Sequence, residues 1–262
     1  MHFTSSGPFV YSGESLLLGP TYILLLQAFY DAKYLYARRK SRYYVAFLVL
    51  VVLRIFDIVC NSTVTVLDPA QSRIVYYIQI ILEWVTGNLL PILNLIRLNA
   101  TCKTTYPKLV RVLVVCTTIC LIFHNTSVTM YIINWTLGVS LENDDMVFAI
   151  WSVMDAVLNA TVSFAFVMHL EKVVGDAHSS HHTALRRTLF KVKLLLASDA
   201  TIIMVSDGIQ LGKVSIDPMW SLYYFAESYR LCMLAQFLVL LNQVMRPQRM
   251  SISGPRVSSV KK

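Results

Sequence analysis

Hydrophobic residues along this chain are grouped into long blocks that short polar segments separate. Seven of these blocks are long enough to cross a bilayer as helices, since a spanning helix needs about 20 mostly apolar residues. The blocks cover residues 15–36, 43–66, 74–98, 109–135, 146–170, 189–212 and 219–245. The pattern predicts an all-α fold, a polytopic membrane protein built as a bundle of seven transmembrane helices.

Composition supports this prediction and leaves little room for anything else. Of the 262 residues, 56% are hydrophobic and 15% are charged, whereas soluble domains have about 45–50% apolar and about 25% charged residues. Seven spans with short links use nearly the whole chain. We therefore expect one seven-helix transmembrane domain over residues 1–245. Residues 246–262 are predicted to form a basic, serine-rich cytoplasmic tail that is disordered.

The basic residues predict which way the chain crosses the membrane. Lysine and arginine accumulate on the cytoplasmic side of membrane helices. Here 18 of the 23 fall in alternate links and in the tail, and the opposite links are acidic. These residues are Arg38, Arg39, Lys40, Arg42, Arg97, Lys103, Lys108, Arg111, Lys172, Arg186, Arg187, Lys191, Lys193, Arg246, Arg249, Arg256, Lys261 and Lys262. The N-terminus is thus expected outside and the C-terminus inside.

The same bias explains the net charge of +8 without a nucleic-acid partner, because no basic groove with interleaved aromatic residues is visible. The expected surroundings are a lipid bilayer. For an integral, multi-pass protein of this kind, the plasma membrane is favoured over an internal membrane.

The layout resembles that of seven-helix receptors, of microbial rhodopsins and of some seven-helix sugar carriers, in topology alone. The third span ends LNLIRLNA rather than in the Asp-Arg-Tyr box of the large receptor family. The seventh span has no lysine for a retinal Schiff base. The Pro-Gln signature of the carriers occurs only at Pro247 and Gln248, outside the predicted spans.

Charged residues inside the predicted spans are the candidate functional residues. An ionised group at the centre of a bilayer costs several kcal/mol or more, so such residues usually face a protein interior or a watery cavity. Most of these side chains fall at a common depth near the middle of the membrane, while Asp207 lies nearer the outer surface. The predicted ligand- or ion-binding residues are Arg54, Asp57, Glu83, Asp155, Asp199, Glu227 and Arg230.

Helical spacing indicates how these residues are grouped. Arg54 and Asp57 are three residues apart and share a helix face, as do Glu227 and Arg230. We expect Glu83, Asp155 and Glu227 to face one cavity, with the two arginines and Asp57 beside them. Two interpretations stay open for the paired residues: a binding site, or internal ion pairs that only fix helix packing. The excess carboxylates need a cationic ligand, an ion or protons to balance them.

Three functions fit this arrangement. A receptor-like sensor would bind a small, cationic ligand from outside and signal to a cytoplasmic protein through its basic loops. A small-molecule or proton- or cation-coupled transporter would use the carboxylates as a relay, although no internal repeat is visible. An intramembrane hydrolase is least favoured, since only His124 lies deep in a span. The sequence predicts no catalytic residue, no cofactor and no metal site, and an enzyme is not the favoured class.

The orientation is open to a direct test. Epitope tags at the two ends are expected to differ: the N-terminal tag should bind antibody on intact cells, and the C-terminal tag only after permeabilisation. The reason is the basic bias of four separate segments on one side. An N-terminal tag that is reached only in permeabilised cells contradicts this topology.

Overall fold

The computed structural model describes residues 8–64, 69–137, 144–175, 182–211 and 221–252. Over these residues the chain forms helices and no strand, which confirms the all-α prediction for this part of the protein. Within the described residues, each predicted span falls in one helix, and the span residues 65–66, 212 and 219–220 lie outside the described part. The helices are α1 (Pro8–Arg39), α2 (Arg42–Val64), α3 (Pro69–Cys102), α4 (Pro107–Leu137), α5 (Asp144–Gly175), α6 (His182–Leu211) and α7 (Ser221–Ile252).

Most of these helices continue past the hydrophobic blocks that predicted them. The last of them runs to Ile252, so the start of the predicted tail is helical, and residues 253–262 lie outside the described residues. Hydropathy marks the part of a helix that suits hydrocarbon, whereas backbone hydrogen bonding continues for as long as the residues are compatible with a helix.

Five of the helices are long and apolar enough to cross a membrane, which makes this a multi-pass integral membrane protein. Over the described residues, α1 and α6 are not among them. The sixth helix carries four basic residues near its start and two aspartates further along, which lowers its hydropathy. The five stretches are Arg42–Thr63, Arg73–Cys102, Pro107–Asn134, Met146–Lys172 and Leu222–Asn242.

The helices pack in sequence order around a ring that closes on itself. Each helix contacts the next, and α7 returns to pack against α1. In addition, α3 reaches across to α5, and α2 contacts α7. With these cross-contacts, α3 meets α2, α4 and α5, and α7 meets α1, α2 and α6.

The closing contact between α1 and α7 depends on small and apolar side chains. Leu25, Ala28, Ala32 and Leu35 are fully buried and recur at intervals of three and four residues, so they form one face of α1. Small residues let helix backbones approach closely, which strengthens packing where lipid supplies no hydrophobic driving force. Ala235 of α7, also fully buried, serves the same purpose.

A tight turn joins α1 to α2 at what we call the basic end of the bundle. Lys40 has a positive φ of 38° and its N–H donates to the carbonyl of Tyr36, so the left-handed residue ends α1. The hydroxyl of Ser41 then accepts from the backbone N–H of Tyr44 and caps the start of α2. Exposed basic side chains gather at this end, among them Arg38, Arg39, Lys103, Lys108 and Arg111.

The contact between α3 and α4 depends on a glycine. A Cβ atom built on Gly87 would lie 2.6 Å from two ring atoms of His124. The imidazole cannot easily yield, because it is buried and its ring centre lies 4.8 Å from that of Trp151. Beside it, Asn88 and Asn125 exchange side-chain hydrogen bonds across the same interface. The absence of a side chain at Gly87 therefore sets how closely these two helices approach.

Substituting this glycine is expected to destabilise the bundle. Gly87→Ala should cost about 1–3 kcal/mol through overpacking against His124, which outweighs the gain of about 1 kcal/mol in helix propensity. The matched control is Gly208→Ala in α6, where an added Cβ meets nothing within 4 Å. Thermal unfolding of the purified protein in lipid nanodiscs measures both. A midpoint for Gly87→Ala equal to or above that of Gly208→Ala contradicts the close approach.

Candidate functional site

One ion pair of the site forms within a single turn of α2. Nη1 of Arg54 donates to Oδ2 of Asp57 at 2.7 Å, and both side chains are buried. Their spacing of three residues places them on one helix face, as the sequence predicts. Oδ1 of the aspartate and Nε and Nη2 of the arginine have no hydrogen-bond partner among the described residues. The pair cancels two charges but does not use all their hydrogen-bonding capacity.

Aromatic rings of α7 cover this arginine. The guanidinium carbon of Arg54 lies 5.2 Å from the ring centre of Tyr224 and 5.6 Å from that of Tyr223. The amide of Gln79 donates to the hydroxyl of Tyr224 at 2.8 Å and to Oδ1 of Asn61 at 3.1 Å. The two tyrosines therefore form a surface on which a cation is already held by the ring faces, and hydrogen bonds join α2, α3 and α7 there.

A second ion pair cluster joins α7 to α5. Nη1 of Arg230 lies 2.9 Å from Oδ2 of Asp155 and 3.1 Å from Oε1 of Glu227. The amide of Asn159 donates to the same Oδ2 at 2.9 Å and so orients the carboxylate. One guanidinium group thus serves two carboxylates, one from its own helix and one from α5.

Glu83 differs from these residues because its carboxylate has no hydrogen bond or ion pair with another described residue. The side chain is half-buried on α3. It lies close enough to Asp57, Arg54 and Glu227 to interact with them electrostatically. Two of these three neighbours are negative, so this position attracts a positive charge.

Asp199 is the second carboxylate without a direct partner. It is buried on α6, and its Oδ1 has no hydrogen-bond partner in the described part of the chain. Arg230, Glu227, Arg97 and Asp155 interact with it electrostatically. Asp199 therefore belongs to the same group of charges without being bonded to any of them.

The position of Arg97 differs from the sequence-based expectation. The basic bias placed this arginine in the third, cytoplasmic link, but it is only 6% exposed and lies inside α3. Its guanidinium carbon lies 4.0 Å from the ring centre of Phe166 and 4.8 Å from that of Phe237. The aromatic faces of α5 and α7 take the place of water around the cation. The interior thus holds a third arginine, which reduces the excess of acid over base.

The structure brings all seven predicted residues into one group of interacting charges. Glu227 connects its two halves, since it bonds Arg230 and interacts electrostatically with Arg54, Asp57 and Glu83. The packing interpretation accounts for the two ion pairs within α2 and α7. The packing interpretation does not account for Glu83 and Asp199, because neither has a bonded arginine. Asp207 lies on α6, but its side chain is outside the described part of the structure.

A small cavity lies beside this group, between α3, α5, α6 and α7. The space that the centre of a water molecule can occupy in it is about 20 Å³. Asp199 and Arg230 line it, together with Asn94, Arg97, Asn159 and Met233. We expected Glu83, Asp155 and Glu227 to face a common cavity, and these three do not line this one.

Sequence reasoning missed Arg97, Gln79 and Tyr224. A signal for two of them was present in the third span, because residues 79, 83, 87, 90, 94 and 97 recur at intervals of three and four and share one helix face. Extending the polar stripe of Glu83 by that period in both directions reaches Gln79 and Arg97. Tyr224 carried no comparable signal, since an aromatic residue near the end of an apolar span is common in membrane helices.

A metal centre does not emerge from the described side chains. Within the described ranges, no three His, Cys, Asp or Glu residues are grouped so that they could hold a metal ion. The carboxylates of the charge group are spread along five helices and do not converge on a point.

No protein-family model matches this chain, and no curated protein sequence and no solved structure shows significant similarity to it.

The shared arginine is expected to be the most sensitive position for stability. Arg230→Gln leaves the half-buried Asp155 and Glu227 without their bonded arginine, at a cost of up to about 3–5 kcal/mol, the range for a fully buried pair. The control is Lys193→Gln, which breaks an exposed pair with Glu171 and should change stability by about 1 kcal/mol or less. Thermal unfolding in nanodiscs compares the two.

A rescue variant shows whether Arg230→Gln loses stability because the carboxylates lose their counter-charge or because the arginine side chain no longer fills its space. Combining Arg230→Gln with Asp155→Asn and Glu227→Gln removes the charge imbalance and should recover much of the stability. An unfolding midpoint for Arg230→Gln equal to that of Lys193→Gln shows that the ion pairs do not support the fold.

Proposed function

We propose that this protein is a seven-helix plasma-membrane protein in which all seven helices cross the bilayer, with the N-terminus outside and the C-terminus inside. Support comes from the ring itself, in which α1 and α6 pack on both sides against helices that are apolar enough to span. The exposed basic side chains at the basic end support the orientation, since such residues collect on the cytoplasmic side.

Within that framework, the favoured function is a receptor-like sensor of a small, positively charged ligand. The observation that carries this proposal is Glu83, a half-buried carboxylate without a bonded partner beside Asp57 and Glu227. An ionised carboxylate in such a place is costly until a positive charge joins it. A ligand cation or a proton would supply that charge.

The chemistry around Glu83 favours an organic ammonium group. Tyr223 interacts electrostatically with Glu83, and the rings of Tyr223 and Tyr224 already hold the guanidinium of Arg54. Aromatic faces bind ammonium groups by the same attraction. A carboxylate next to a tyrosine surface therefore offers both parts of a cation site.

A ligand at this position would act on α7, and α7 would transmit the change. This helix carries the two tyrosines, Glu227 and Arg230, and it packs against α1, α2 and α6. A new positive charge near Glu83 competes with the arginines for Glu227, which alters the pairing of Arg230. We propose that a shift of α7 reaches the basic end, where the exposed basic loops would bind a cytoplasmic signalling protein.

A proton- or cation-coupled transporter is the second candidate, and the length of the charge group favours it. Glu83 and Arg97 share one face of α3 and are separated by 14 positions in the sequence, which corresponds to about 21 Å at a rise of about 1.5 Å per residue. The hydrocarbon core of a bilayer is about 30 Å thick. Charged and polar groups thus extend along much of the membrane thickness.

The sensor proposal predicts that Glu83→Gln abolishes the response to small cations. Wild-type protein in nanodiscs is titrated with a panel of small primary and quaternary ammonium compounds, and the unfolding midpoint is followed. A compound that binds should raise the midpoint of the wild type and of the control Glu171→Gln, whose exposed carboxylate lies at the basic end. Glu83→Gln should show no rise. An equal rise in Glu83→Gln contradicts the site.

Flux through liposomes separates the two candidates. Protein is reconstituted with a trapped pH-sensitive dye, and a proton or ammonium gradient is applied. The sensor proposal expects no flux above that of empty liposomes. Flux that is lost in Glu83→Gln favours the transporter instead.

A further inference from the structure

The residues that line the cavity between α3, α5, α6 and α7 carry several buried polar atoms without partners. Among the residues described, these atoms are Nε and Nη1 of Arg97, Nη2 of Arg230, Oδ1 of Asp199 and Oδ1 of Asn94. Each of these side chains is more than nine-tenths buried. An unsatisfied buried polar group costs about 1–3 kcal/mol, and more when it is charged. Several such groups around one space point to a bound molecule that satisfies them.

The size of the cavity limits that molecule. A volume of about 20 Å³, measured for the centre of a water-sized sphere, compares with the roughly 10–15 Å³ that one water requires by the same measure. A metabolite or an organic cation does not fit into such a space. Only water or a monatomic ion remains.

The charges around the cavity favour a neutral occupant. Arg230 is already bonded to Asp155 and Glu227, so Arg97 and Asp199 are the charged lining residues without a bonded partner, and their charges are opposite. A cation would lie beside two guanidinium groups, and an anion beside a carboxylate. Neither gains from this environment.

The hydrogen-bonding pattern matches water. Three of the partnerless atoms belong to guanidinium groups, which only donate, and Oδ1 of Asp199 and Oδ1 of Asn94 only accept. A buried water typically makes about three hydrogen bonds, within a range of 2–4. A water molecule in this cavity would accept a hydrogen bond from Arg97 or Arg230 and donate hydrogen bonds to Asp199 and Asn94.

We propose that this cavity is a binding site for water, in which one or two molecules bridge Arg97 of α3 to Asp199 of α6. The rings of Phe166 and Phe237 pack against the Arg97 guanidinium and offer its N–H groups no hydrogen-bond acceptor, so water in the cavity is left to accept from them. The site is separate from Glu83 and does not depend on a ligand there. It gives Asp199 a partner that the protein itself does not supply.

Radiolytic labelling tests this proposal on the full chain. A short X-ray pulse produces hydroxyl radicals from bound water, and these oxidise a neighbouring methionine to its sulfoxide. Met233 lines the cavity and is only 7% exposed. In nanodiscs equilibrated with ¹⁸O-labelled water, we expect labelled sulfoxide at Met233. Unlabelled Met233 in the wild type overturns the proposal, whether or not any variant folds.

Two further measurements identify the occupant. The double variant Arg97→Met and Asp199→Leu replaces both charged groups with apolar ones and should lose the label at Met233. The unfolding midpoint should be the same in chloride and gluconate, and in sodium and N-methylglucamine. A chloride-dependent rise that Arg97→Gln removes identifies an anion, and a sodium-dependent rise that Asp199→Asn removes identifies a cation; either result overturns the water assignment.

Discussion

The interior of this bundle is organised by one requirement: a charge that is removed from water must find its counter-charge within the protein. Hydrocarbon around the helices supplies neither water nor ions, so every unpaired charge in the interior remains costly. Arg230 is bonded to two carboxylates, Asp155 at 2.9 Å and Glu227 at 3.1 Å, so its single positive charge is shared between them. Because these lie on α5 and α7, the pairing helps to fix how those two helices sit against each other.

The carboxylates of the charge group differ in whether an arginine is bonded to them. Asp57, Asp155 and Glu227 each have a bonded arginine, and the bond from Arg230 to Asp155 joins two helices. Glu83 and Asp199 have none. One is half-buried beside a tyrosine surface, and the other is buried against a cavity of water size. The two carboxylates without a bonded arginine thus lie in different environments, and we propose a different occupant for each, a cation for Glu83 and water for Asp199.

One face of α3 carries charged residues, a residue that lines the cavity and a glycine at a close helix contact. Glu83 and Arg97 lie near the two ends of that face, Asn94 lines the cavity, and Gly87 makes room for His124. Pro91 follows within the same helix and cannot donate to the carbonyl four residues before it, which is that of Gly87. The third helix is therefore polar and closely packed, and it lacks one backbone hydrogen bond within its length.

The sequence by itself determined the helices and the relations within each helix. Long apolar blocks predict the helices that the described residues form, since a chain in lipid satisfies its backbone only by helical hydrogen bonds or a closed barrel. Helical spacing predicts the Arg54–Asp57 and Glu227–Arg230 pairs, because residues three apart meet on one face.

Only the tertiary structure decided which helix faces which. Periodicity shows the residues that share a face but not how far each helix is rotated about its axis. The bond from Arg230 to Asp155, the burial of Arg97 between Phe166 and Phe237, and the contact of Gly87 with His124 all depend on that rotation. Arg97 illustrates the point most clearly. Its place near the end of an apolar block is equally typical of a cytoplasmic loop, and only the aromatic rings of α5 and α7 assign it to the interior.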